Sequence, residues 1–357
     1  VLRGDYGIDD AGYGSLFLPQ MACTVAGSLG GASLARRVGL KRLLAISTAL
    51  AASAALALES VSMVPPSMRL AVLLLGTGLM GSGFGLAAAP LNALPARFFP
   101  SRADSALVAL HTVMGGGLAL GPLAVSGLVA HHAWTWFPIA QAVACVVVAL
   151  GVALTAFPPE PVERSADASA GGGSRVALGL LVVIAVLYAF CEGTFASWAS
   201  IFLAEDRHVA PELAALALSA FWAAIAVGRL VISAIVVRVP AERVWLALLV
   251  LVAVAFFVVP FAHDATSGIA AFALAGLGCS AFFPITVGLG TRVAASPATA
   301  SSLLVAALMV GVGSSSFALG ALRAHFPLEQ VYRLSIAYPV LAFVLAIAAL
   351  RAMPKKA

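Results

Sequence analysis

Charged side chains are scarce in this sequence. Asp, Glu, Lys and Arg make up only 10% of its 357 residues, too few to cover a water-soluble globule of that length. Cysteine is scarce too. Cys23, Cys145, Cys191 and Cys279 stand singly in apolar stretches, which excludes a disulfide framework or a cysteine-based metal centre and leaves them as small packing residues. Catalytic signatures are missing as well. No G-x-S-x-G, no H-E-x-x-H and no paired aspartates fall within the apolar stretches, and no charged ring or carbonyl filter motif suggests a pore. An intramembrane enzyme or a channel is therefore only a remote alternative. No metal or cofactor is called for, and the formal charge of +5 lies in short loops, which gives no argument for nucleic acid.

What the chain has in excess is apolar length. Hydrophobic residues make up 62% of it and the mean hydropathy is +1.06, the composition of an all-α polytopic membrane protein. Windows of about 20 apolar residues, enough to cross a bilayer core, predict eleven spans. They lie near 12–33, 43–62, 70–95, 104–130, 134–156, 176–203, 212–236, 245–262, 266–290, 300–322 and 333–352.

The loops between the spans carry a strong bias. Of the twenty Lys and Arg, fourteen fall on the side of the 33/43 break; Arg3, Arg69, Arg207, Arg323 and Arg333 fall on the other, and Arg229 lies within a span. Cytoplasmic loops are enriched in Lys and Arg, so the C-terminus is expected in the cytoplasm and Val1 outside. The first residues, Val-Leu-Arg-Gly-Asp-Tyr, read like the middle of a loop. A helix upstream of Val1 is therefore expected, for a total of twelve.

Residues 158–175, PPEPVERSADASAGGGSR, are polar, proline-led and glycine-rich, as a flexible cytoplasmic linker would be. They divide the chain into residues 1–157 and 176–357. The two parts repeat weakly. Arg37-Val38-Gly39-Leu40-Lys41-Arg42 is echoed by Arg238-Val239-Pro240-Ala241-Glu242-Arg243 at an offset of 201, and Ala119-Leu120-Gly121-Pro122-Leu123 by Ala318-Leu319-Gly320-Ala321-Leu322 at 199. Parallel six-helix repeats are the arrangement in which transporters bind their solute near the midplane.

At these residues the chain resembles the major facilitator superfamily. Gly31-Ala32-Ser33-Leu34-Ala35-Arg36-Arg37-Val38-Gly39-Leu40-Lys41-Arg42 looks like its signature loop, G-x-L-A-D-R-x-G-R-R, with Arg36 standing where the family usually has an acid. A narrower resemblance, to fucose-permease-like sugar/proton symporters, rests on the glycines at 76, 78, 81, 83 and 85, Asn92-Ala93-Leu94, Arg97-Phe98-Phe99-Pro100 and His111. In the second half it rests on Tyr188 to Trp198 (YAFCEGTFASW) and on Phe221-Trp222 with Gly228-Arg229. The resemblance implies two pseudo-symmetric six-helix bundles, alternating access, a small polar solute such as a monosaccharide, and a proton as coupling ion. It also implies a monomer in a bacterial inner membrane.

Three ionisable residues stand well inside apolar spans: His111, Glu192 and Arg229. A charge at the bilayer centre costs about 2.5–3.5 kcal/mol on insertion scales and persists where it meets a cavity or a partner. Glu192 is expected near the membrane middle, where a desolvated carboxyl can load and release a proton or accept hydrogen bonds from sugar hydroxyls. Tyr188 and Phe195, at i−4 and i+3, should share its face. Arg229 needs a carboxylate, backbone carbonyls or a polar solute, and an offset of about six residues, roughly 9 Å along the membrane normal, lets it reach toward Glu192. The resemblance places the His111 and Arg229 helices face to face and makes both residues candidates for gating or coupling, with Asn92 tying helices together. Trp198 and Trp222 are candidates to stack on a sugar ring. The rival reading, export of a hydrophobic or drug-like compound, would use Phe282, Phe283 and Met309 as cavity lining. Glycines at 81 and 85, and at 117 and 121, read as faces for close helix approach.

Overall fold

The computed structural model describes residues 2–158, 174–294 and 297–353, and every regular element among them is helical. The chain folds into two compact units. The first comprises Val1–Met114 and Leu128–Ser165, the second Gly115–Gly127 and Ala166–Ala357. Most of the expected linker, residues 159–173, lies outside the described residues.

The first unit contains α1 (Leu2–Tyr6), α2 (Asp10–Ser15), α3 (Phe17–Val38), α4 (Leu40–Ser60), α5 (Pro66–Phe98), the ends of α6 (Ala103–Ala130) and α7 (Trp136–Leu154). Helix α5 packs against both α3 and α4, and α4 against α7. Without a hydrophobic drive between helices in lipid, such pairs depend on close backbone approach and on hydrogen bonds. Both are present. A Cβ at Gly85 would run into the backbone of Thr24, and Thr24 Oγ1 donates to the Gly81 carbonyl at 3.2 Å. Gly117 and Gly121 differ from this expectation: among the described residues nothing comes within 4 Å of a Cβ at either.

The corner between α3 and α4 turns on Gly39, whose φ of 84° is a backbone conformation that a side chain disfavours. Lys41, one residue into α4, reaches the C-terminus of α7. Its Nζ donates to the carbonyls of Ala153 (2.9 Å) and Thr155 (3.0 Å), groups with no helical donor left and at the negative end of the helix dipole.

The second unit contains α8 (Arg175–Ile201), α9 (Pro211–Ile235), α10 (Ala241–Val258), α11 (Ala265–Cys279), α12 (Phe282–Val293), α13 (Pro297–Arg323), α14 (Leu328–Ser335) and α15 (Ala337–Ala352). Here α9 pairs with α11 and α10 with α15, the same plan as α3 with α5 and α4 with α7; α8 packs on α13 and α15. Phe195 sits at the centre of the core, 4.2 Å from Phe256 between ring centroids and close to Phe221, Phe272 and Tyr332. At one end of the unit, Arg207 meets Glu329 (2.7 Å) and the Pro260 carbonyl (2.7 Å), while Arg323 Nη1 donates to Asp206 Oδ2 at 2.7 Å.

Ten helices among the described residues are long and apolar enough to cross a membrane, not the eleven that the sequence predicts. The shortfall is the first span. Residues 17–38 are helical, but Gln20, Thr24, Ser28 and glycines 27, 30 and 31 dilute their apolar character. The stretch expected as one span at 266–290 forms one, Ala265–Val293, with a two-residue break between α11 and α12.

Candidate functional site

The division between α11 and α12 has a local cause. Pro284 has no N–H to give the carbonyl four residues earlier, that of Ser280, and its ring crowds that oxygen. Helix α11 therefore ends at Cys279 and α12 restarts at Phe282, with Ala281 at φ −112° and ψ 4°. Free backbone carbonyls are costly at membrane depth unless other groups satisfy them. Two side chains from neighbouring helices do so. Arg229 Nε, on α9, donates to the Ser280 carbonyl at 3.0 Å, and the Tyr188 hydroxyl, on α8, lies 2.7 Å from the Cys279 carbonyl oxygen.

Tyr188 also brings Glu192 into the same cluster. Its hydroxyl is 2.6 Å from Glu192 Oε2, one turn further along α8. Glu192 is seventeen residues past Arg175 and fourteen before Asp206, the ends of its span. At 1.5 Å per residue it lies about 26 and 21 Å from them, near the middle. Tyr188 is fully buried and Glu192 is half-buried. No ion pair joins Arg229 to Glu192 among the described residues; the guanidinium is turned to the backbone of the break. Gly228 makes that approach possible, lying directly against Ser280.

An aromatic stack fixes the first turn of α12 beside the cluster. Phe282 lies 4.7 Å from Tyr188 and 5.3 Å from Trp245 of α10, both stacked, and Trp245 Nε1 donates to Thr286 Oγ1 at 2.8 Å. The expectations for site residues singled out Glu192, Tyr188 and Arg229 but missed the Cys279 and Ser280 carbonyls, Trp245 and Thr286. Pro284 inside a predicted span was not a sufficient signal for the break, because Pro90, Pro95 and Pro122 sit inside continuous helices.

The remaining candidates are dispersed. Phe283 is half-buried in the first turn of α12, beside the break, and Met309 is half-buried on α13. Trp222 is half-buried with its ring 5.2 Å from Phe221, whereas Trp198 is completely buried in the packing of α8 and faces no opening. Phe195 turns into the aromatic core and away from Glu192. Asn92 Nδ2 donates to the Ala88 carbonyl, one turn back in its own helix, at 2.8 Å. His111 falls in α6, but its side chain lies outside the described residues. In the signature loop, Arg36, Arg37 and Arg42 are exposed, with Arg36 Nη2 donating to Ser33 Oγ at 3.1 Å, and Gly31 is buried facing α5.

A set of membrane-length helices, one of them interrupted where polar groups converge, is an architecture that transporters use. The major facilitator superfamily model matches residues 1–315, and the chain belongs to that family. Solved structures of the same fold agree. A bacterial homologue of the human lysosomal transporter Spinster, inward-facing and unoccupied, is 16% identical, with a TM-score of 0.76 over 99% of this chain and 93% of that one. A D-xylose–proton symporter is 14% identical, with a TM-score of 0.78 over 97% and 88%. An E. coli fucose:proton symporter variant is 17% identical, with a TM-score of 0.56 over 98% and 90%. At such identities the likeness carries the fold alone. No curated protein sequence matches the chain.

Proposed function

We propose that the chain is a secondary active transporter that takes up a small polar solute, a monosaccharide in class, together with protons by alternating access, with Glu192 as the group that binds proton or solute. The observation that carries this reading is the Glu192 carboxyl, held by the Tyr188 hydroxyl beside a broken helix near the middle of its span. A carboxyl and a phenol at a discontinuous helix offer both acceptor and donor to a hydroxylated solute. Phe283 and Trp222, both half-buried, supply apolar surface for a sugar ring. Arg229 supports the site through the backbone of the break.

Uptake of a panel of labelled sugars into proteoliposomes, with and without an imposed pH gradient, tests the reading. The expected result is accumulation of at least one sugar that depends on the gradient. Expulsion of a lipophilic cation with no sugar accumulated would replace uptake with export of hydrophobic compounds. Glu192→Gln is expected to abolish gradient-driven accumulation while sparing counterflow. Loss of both would assign Glu192 to solute binding alone, and loss of neither would remove it from the site.

A further inference from the structure

Tyr188 has one hydroxyl proton and stands between two oxygens at hydrogen-bonding distance, Glu192 Oε2 at 2.6 Å and the Cys279 carbonyl at 2.7 Å. A phenol donates once, a carbonyl never donates, and an ionised carboxylate only accepts. If Glu192 were ionised, one of these two short contacts would hold no proton and its oxygens would repel. The second proton has a single source among the three groups. A protonated Glu192 donates to Tyr188 Oη, Tyr188 donates to the Cys279 carbonyl, and both contacts are satisfied.

We propose that Glu192 is protonated in this conformation and that Tyr188 transmits its proton state to the backbone break between α11 and α12. When Glu192 releases its proton to water, the carboxylate draws the Tyr188 hydroxyl proton to itself. The Cys279 carbonyl then loses its donor, and the joint between α11 and α12 loosens. Tyr188 is a positioning residue in this device. The proposal rests on the transporter reading only in treating Glu192 as a group that titrates, and it needs no particular solute.

The groups around Glu192 bear on its titration, Arg229 among them, because donating to a neutral carbonyl leaves the guanidinium charged. The titratable and charged groups near it are Tyr188 and Cys191 on its own helix, Arg229 on α9 and Cys279 on α11, with Tyr338 of α15 beside Cys191. Arg229 is engaged with the Ser280 carbonyl. The charged residues of α12 and α13, Arg292 and Arg323, lie at the far ends of their helices and pair with Glu242 and Asp206. Loosening would reach the first turn of α12 directly, because Phe282 stacks on Tyr188.

Two measurements on the full chain in lipid nanodiscs, with no solute added, test the device. Infrared spectra across a pH series should show a protonated-carboxyl band that titrates and that Glu192→Gln removes. Hydrogen exchange of residues 279–286, corrected for its intrinsic pH dependence, should show protection falling roughly fivefold as that band disappears, the factor for one net hydrogen bond. Glu192→Gln, whose amide can donate to Tyr188, should stay protected at every pH, and Tyr188→Phe should be unprotected at every pH. The absence of the band at all pH values where the protein is folded would overturn the proposal. So would pH-independent protection in the unaltered protein, or wild-type protection in Tyr188→Phe. Because neither readout involves transport, a failed sugar assay and a failed proton device are distinguishable.

Discussion

Ser280 shows how one missing backbone donor organises a site. Pro284 withholds the N–H that the Ser280 carbonyl would accept in a continuous helix, and Arg229 Nε replaces it at 3.0 Å. Removing the replacement should leave a polar oxygen short of a donor, at a cost of about 1–3 kcal/mol. Arg229→Ala is therefore expected to lower the Tm of the purified protein. Pro284→Ala restores an N–H at the correct spacing, so the same Arg229→Ala change made in that background should cost distinctly less. A double-mutant cycle on thermal stability measures the coupling, and additive effects would show that Arg229 does not stand in for the missing donor.

At the scale of elements, small residues and caps decide which helices meet and where they start. Gly85→Ala would force α5 away from α3 at the Thr24 backbone, with an overpacking cost of about 1–3 kcal/mol. Gly121→Ala meets nothing within 4 Å among the described residues and should not show the loss of Tm expected of Gly85→Ala, which the same melting experiment reports. Helix α11 begins with a capping box, in which Asp264 Oδ1 accepts from Ser267 N at 2.7 Å and the Asp264 N–H donates to Ser267 Oγ at 3.2 Å. Hydrogen bonds from the backbone and hydroxyl of Ser267 hold the Asp264 carboxyl below its usual range. A carboxylate with a lowered folded value contributes stability that is full above its unfolded pKa and is lost as pH falls through the folded one. Protection from hydrogen exchange in the first turn of α11, corrected for the intrinsic pH dependence, should thus fall in acid, and Asp264→Ala should show low protection already at neutral pH with no further acid step.

On the scale of the whole molecule, what was legible in the sequence divides by the range of the interaction. Apolar length announced an all-helical membrane protein, and the i, i+4 spacing announced that Tyr188 and Glu192 share a face. Phe195, at i+3, was expected there too, but the aromatic packing of the second unit claimed it. The broken helix was not legible from proline alone, because Pro90, Pro95 and Pro122 sit inside continuous helices. What sets Pro284 apart is that Tyr188 and Arg229, 91 and 51 residues away from the carbonyls they satisfy, come from other helices. Orientation across the membrane is the global property on which local charge gives an expectation. Fourteen of the twenty Lys and Arg belong to one side, which positive-inside bias would make cytoplasmic. On that side Lys41 caps α7 and Arg292 pairs with Glu242, while the Arg207, Arg323 and Glu329 cluster belongs to the other. A fluorescent-protein fusion after Ala357 should therefore fluoresce in bacterial cells, and an alkaline phosphatase fusion at the same point should be inactive. The same phosphatase inserted between Asp206 and Pro211 should be active, because that turn joins α8 to α9 on the opposite side. The reverse pattern would invert every assignment of inner and outer ends made from charge, while leaving the Glu192, Tyr188 and Arg229 cluster where it is.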